Sequence, residues 1–227
     1  MTNACILAMS IAWVVISSSV ISAQDLSNYR EFQLGMSVVT VARHAGITAE
    51  PRVLHRRPEL IQELMWQPPR VSSTFTQRES VGKVLFSFYN DQLFRIVVTY
   101  DRERTLGLTA LDMIEAISTR YGLALLPATD TVPSPAPVST GMNKILAQWD
   151  DSQHSLNLFS SSYLSTFGLV VLSKRLDVLA QLASAEAMLL DKQEAPRREI
   201  ERQRTQTEGN RVKQEEGRRV NKPTFRP

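Results

Sequence analysis

Cysteine is nearly missing from this 227-residue chain, whose one thiol is Cys5. If the first 23 residues are removed on export, none remains. That excludes disulfides, thiol nucleophiles and thiolate metal sites from the mature protein. Histidine is scarce as well: His44, His55 and His154 stand in no HExxH or HxH spacing, so a zinc site would need assembly from distant segments. GxSxG, P-loop and GxGxxG patterns are also lacking. The paired carboxylates Asp150 and Asp151 fall in a turn, where solvated aspartates belong. The chain is therefore read as a non-enzyme with no catalytic residue, no cofactor and no metal. Its body also lacks excess charge. The formal charge is +3, but residues 191–227 hold 11 Lys and Arg against 7 Asp and Glu, and the remainder has 15 against 16. The basicity belongs to the tail, and no nucleic-acid partner is expected.

What is present begins with an uncharged stretch over residues 4–23. Its apolar run, 6–16, has the length of a signal-peptide core and not of a membrane span. Ile21-Ser22-Ala23 permits cleavage before Gln24, which points to a periplasmic or secreted protein. No Lys or Arg precedes the run, so the alternative is a membrane anchor at the N-terminus, and membrane contact is expected only if residues 4–23 stay uncleaved.

The strongest local signal lies in residues 83–122. KVLFSFYN and LFRIVVTY are rich in β-branched and aromatic residues and flank Asn90-Asp91, both tolerant of left-handed backbone, so an antiparallel hairpin is expected. The even positions Val84, Phe86, Phe88, Phe94, Ile96, Val98 and Tyr100 form the expected core face. Ser87, Tyr89, Arg95 and Thr99 then line the opposite, open face. Thr109 with Asp112 opens a helix whose stripe is Ala110, Ile114, Ile117 and Tyr121, and Gly122 closes it.

This unit has a counterpart elsewhere in the chain. Gly35-Met36-Ser37 answers to Gly107-Leu108-Thr109 at an offset of 72, and each opens a helix ended by a glycine, Gly46 or Gly122. Phe94-Arg95-Ile96-Val97-Val98 answers to Phe167-Gly168-Leu169-Val170-Val171 at an offset of 73. Each half also has a tryptophan in a short apolar segment, Trp66 or Trp149, read as core under the helices. The fold class is α+β: two α-β-β-β repeats, 24–106 and 107–173, forming an antiparallel sheet of about six strands with helices on one face. Residues 47–60 read as loop. Residues 127–141, with three prolines among Ser and Thr, read as an exposed excursion. Asp101-Arg102-Glu103-Arg104 reads as a solvated connector. A C-terminal amphipathic helix, 174–195, ends at Pro196, and the charged remainder, 196–227, is expected to be disordered because its aliphatics are too sparse for a core.

The G-[ML]-[ST] helix starts, the closing glycines and the strands after them, in tandem over residues 30–173, resemble the two-repeat β-lactamase inhibitor proteins and the related small lipoprotein domains of outer-membrane assembly. The resemblance implies a concave sheet that binds another protein and assigns no specific functional residue. The expected function is thus a noncatalytic protein-binding module of the bacterial cell envelope, acting on another envelope or secreted protein through Ser87, Tyr89, Arg95 and Thr99. The alternative is a carrier of a small apolar ligand or lipid in a cavity between sheet and helices.

Overall fold

The computed structural model describes residues 25–68, 80–127, 143–161, 166–223 and 226. The segment 1–23, where a signal peptide is expected, and nearly all of the expected proline-containing excursion lie outside them. A two-strand hairpin, β1 (Asn28–Tyr29) and β2 (Phe32–Gln33), opens the body. Next come α1 (Val38–His44), β3 (Arg52–His55), β4 (Ile61–Trp66), β5 (Val81–Tyr89) and β6 (Gln92–Tyr100). After these run α2 (Ala110–Tyr121), β7 (Asn143–Asp150), β8 (His154–Ser161), β9 (Thr166–Ser173) and α3 (Lys174–Asn221). Among the described residues, seven strands form one antiparallel sheet in the order β3-β4-β5-β6-β9-β8-β7.

The β5–β6 turn is the two-residue kind that left-handed backbone allows, with Asn90 at φ 46° and Asp91 at φ 64°. Both side chains are also used. Asn90 Oδ1 accepts from Leu60 N at 3.0 Å, and Asp91 Oδ1 accepts from Val38 N at 2.9 Å, tying the hairpin tip to β4 and to the first turn of α1. The helix starts follow the sequence: Ser37 caps α1, and Thr109 with Asp112 forms a capping box on α2. Gly35 and Gly107, the corresponding glycines before them, both have positive φ, at 93° and 85°.

The two repeats meet at the middle of the sheet. Val97 pairs with Val170, and these residues are 73 positions apart, the offset that relates the halves. Ile96 pairs with Val171 and Val98 with Leu169, so the register has a local two-fold between β6 and β9. The principal core lies on one face, where Val38 and Val41 of α1 and Met113, Ile117 and Tyr121 of α2 cover Val84, Phe86, Phe88, Ile96, Val98, Leu169 and Val171. Trp149 is fully enclosed there and its indole N–H donates to Gly122 O at 2.8 Å, while Trp66 is half-buried against the same cluster. Large side chains fill the layer between sheet and helices, each contributing about 1.5–3 kcal/mol on burial.

Two expectations change. Residues 52–55 form an edge strand where a loop is expected, because Val53 and His55 alternate inward between exposed Arg52 and Leu54 and the arginines disguise the period. The helices of the two repeats lie on one face as expected, α1 and α2 both on the principal core, and the start of the C-terminal helix α3 lies on the other side. The helix also does not stop at Pro196, and the segment expected to be disordered continues as helix to Asn221. After Ala187 no described residue of α3 is buried, so no core orders this part. Ion pairs within the helix line it instead.

Candidate functional site

The four residues expected to line an open face share one face of the sheet, but α3 covers part of it. Ser87 and Arg95 are buried, and Tyr89 and Thr99 are half-buried. The expectation of an open face at Ser87, Tyr89 and Arg95 is thus corrected. α3 turns back from the end of β9, where Lys174 N donates to Gln153 O at 2.9 Å, and seats Leu176, Ala180 and Ala183 against Ile61 and Phe94, with Tyr89 beside them.

Arg95 is the polar centre of that contact. Its Nε donates to Asp177 Oδ1 at 2.9 Å, its Nη2 contacts the same oxygen, and Gln181 Nε2 donates to Asp177 Oδ2 at 2.6 Å. The guanidinium carbon also stands 5.4 Å from the centre of the Phe94 ring. Phe94 and Arg95 therefore point to the same side, against the strict alternation expected. The cause is a bulge: the β5–β6 register shifts between Ser87↔Arg95 and Phe88↔Leu93, which leaves Phe94 as the extra residue. Leu93 and Ile96 point into the principal core, and Phe94 joins the cluster under α3. The repeat survives in Ile96, Val98, Leu169 and Val171 and fails at Phe94, whose counterpart Phe167 packs on the principal core.

Away from α3 the same face continues. One row of cross-strand neighbours runs Met65↔Leu85↔Val97↔Val170↔Asn157↔Gln148 from β4 to β7. Leu85, Val97, Val170 and Leu172 make a second apolar cluster with Phe159, and no described helix residue belongs to it. Phe159 lies over its cross-strand partner Gly168, where an added Cβ would collide with the ring. Met65 at the edge of this row is 54% exposed. Half-buried Thr99 stands in the next row, between Lys83 and Gly168.

The ionisable groups serve structure. Asp151 holds the β7–β8 turn: its Oδ1 accepts from Gln153 N and His154 N, both at 2.6 Å. Burial works against the charged form of Asp151. The two N–H donors and the His154 ring outweigh it, so the carboxyl titrates below its ordinary range. Asp150, beside it, is in ion-pair contact with Lys174 at 3.3 Å. Burial, with Tyr29 and Tyr121 close by, pushes the Tyr100 phenol above its usual range, and Tyr121 is also raised by burial while its hydroxyl donates to Asn28 O at 2.9 Å. His44 is exposed, and His55 and His154 are half-buried in separate strands. Among the described residues no three His, Cys, Asp or Glu side chains cluster as a metal site. The connector at 101–104 is turned on itself by Asp101 Oδ1, which accepts from Arg104 N at 3.1 Å, and Arg102, Glu103 and Arg104 are exposed.

Sequence reasoning missed Asp177 as the partner of Arg95, and it missed the apolar row. The signal for the row was present: Leu85 and Val97 are apolar residues at odd positions, on the face assigned to polar side chains. No family model matches the chain, and neither the curated proteins nor the solved structures contain a match to it.

Proposed function

We propose that this protein is a noncatalytic binding module of the bacterial cell envelope that takes another envelope or secreted protein on its outer sheet face beside α3, at the exposed Met65 edge. The observation that carries this reading is exposed Met65 beside half-buried Leu85, backed by the buried cluster of Val97, Val170 and Phe159, on a face that α3 crosses only near the Tyr89 end. Accessible apolar side chains at Met65 and Leu85 next to half-buried polar residues such as Thr99 and Asn157 are the composition of a protein-binding patch. The resemblance of the tandem G-[ML]-[ST] repeats to two-repeat inhibitor proteins and assembly lipoprotein domains supports the same reading. Export through residues 1–23 belongs to this proposal and sets the compartment in which the partner is sought. The test is affinity capture from envelope extract with the mature protein and with its Met65→Arg and Leu85→Lys variants. A polypeptide retained by the unaltered protein and lost with both variants is the expected result. Equal retention by all three would place the contact elsewhere.

A further inference from the structure

Residues 194–221 carry a seven-residue repeat that a charge count hides. Glutamates stand at 194, 201, 208 and 215, and an arginine follows each three residues later, at 197, 204, 211 and 218. On a helix this spacing sets Glu and Arg alternately three and four residues apart along one side, so Arg197, Arg204 and Arg211 each lie between two carboxylates and Arg218 follows the last one. The Arg211 guanidinium shows both contacts, reaching Glu208 at 2.6 Å on one side and Glu215 at 3.1 Å on the other. No apolar seam accompanies the repeat. At 100° per residue Ile200, Val212 and Val220 fall on three different sides of the helix, which is not the pattern of a chain that pairs with another helix by burying side chains.

The junction with the body is braced. Pro196 has no N–H to offer the preceding turn, but Arg198 reaches back across it to Asp191 at 2.7 Å and Glu194 at 2.8 Å. Arg57, between β3 and β4, holds Glu194 at 2.9 Å. Beyond these ties the helix is wholly exposed or nearly so.

We propose that residues 194–221 are a self-supporting charged helix acting as a stiff spacer, which holds the C-terminal end on the order of 40 Å from the sheet at about 1.5 Å per residue. Neither a second copy nor a partner is needed to keep it helical. Any one of these pairs is weak, but the ladder repeats over four heptads and works as a network.

The experiment uses the full chain with Cys5→Ser and spin labels on Gln193→Cys and Gln214→Cys, both exposed positions. Its comparison is a composition-preserving permutation, R204Q with Q206R and N210R with R211N, which removes two arginines from the ladder and leaves net charge and body untouched. The expected result is a narrow distance distribution near 30 Å, at about 1.5 Å per residue, unchanged on dilution. In the permuted chain it becomes broad. A broad distribution in the unpermuted chain overturns the proposal, as does an equally narrow one in the permuted chain. A distribution that narrows only at high protein concentration also overturns it, by showing that the helix folds on a second copy.

Discussion

Arg95 and Phe94 show how one extra residue in a strand changes the meaning of its neighbours. With strict alternation Arg95 would face solvent and its removal would be silent. In the structure it is the buried partner of Asp177, so Arg95→Ala strands a carboxylate at the α3 contact. It should cost on the order of 3–5 kcal/mol, the range for breaking a buried ion pair by removing one partner. Denaturant unfolding measures this, and Arg95→Met with Asp177→Leu should recover most of the loss, because both charges then leave together. Gly168 supports a second expectation at this scale: Gly168→Ala drives a methyl into the Phe159 ring and should cost about 1–3 kcal/mol as overpacking, with Phe159→Leu in the same chain restoring part of it. Asp151 gives a pH-dependent contribution. Its folded carboxyl titrates below the unfolded value, so the stability it adds is fully present above about pH 4 and is lost as pH falls through the folded value. Asp151→Asn should remove that acid-side slope. The even–odd pattern in residues 84–100 revealed the core face at Val84, Phe86, Phe88, Ile96 and Val98. It could not reveal the bulge, because an inserted residue leaves no mark in composition.

The helices differ in what holds them. α1 and α2 are short, capped at Ser37 and Thr109, and anchored by side chains in the principal core. Their starts were readable because capping is local chemistry. α3 is two things in one element: from Leu176 to Ala187 it is packed on the sheet, and from Glu194 onward it stands in solvent. Its second part reads as disorder in the sequence because low apolar content is the usual mark of a chain that cannot order. The seven-residue spacing of Glu and Arg is the signal that was there to find. In magnitude, an ion pair at three- or four-residue spacing adds about 0.2–0.5 kcal/mol, so the whole ladder is worth a few kcal/mol. Gly209 and Gly217 oppose it by about 1 kcal/mol each. Truncation after Ala195 should leave the melting temperature of the body within error, since no described residue beyond that point is buried. Differential scanning calorimetry on the shortened chain checks this, and a clear drop would mean that the arm packs on the body.

At the scale of the whole molecule, the two repeats make one sheet by pairing equivalent strands, and the two-fold at Val97 and Val170 leaves both faces continuous across the join. One face is filled by α1, α2 and the N-terminal hairpin. The other is shared between α3 at one end and the apolar row at the other. The repeat was legible because short motifs recur at a nearly constant offset. The division of the outer face was not, since the path of α3 depends on a salt bridge between residues 82 positions apart. The proposed exported, partner-binding role rests on the Met65 edge of that face. The measurement that tests it most directly is site-specific photo-crosslinking in intact envelope, with the photoreactive side chain at Met65 on the row and, in a separate chain, at exposed Val39 on α1. The expected result is one discrete protein adduct from Met65, abolished by Leu85→Lys, and none of that species from Val39. Equal labelling at both positions, or no adduct at Met65, would contradict a partner seated on the outer face.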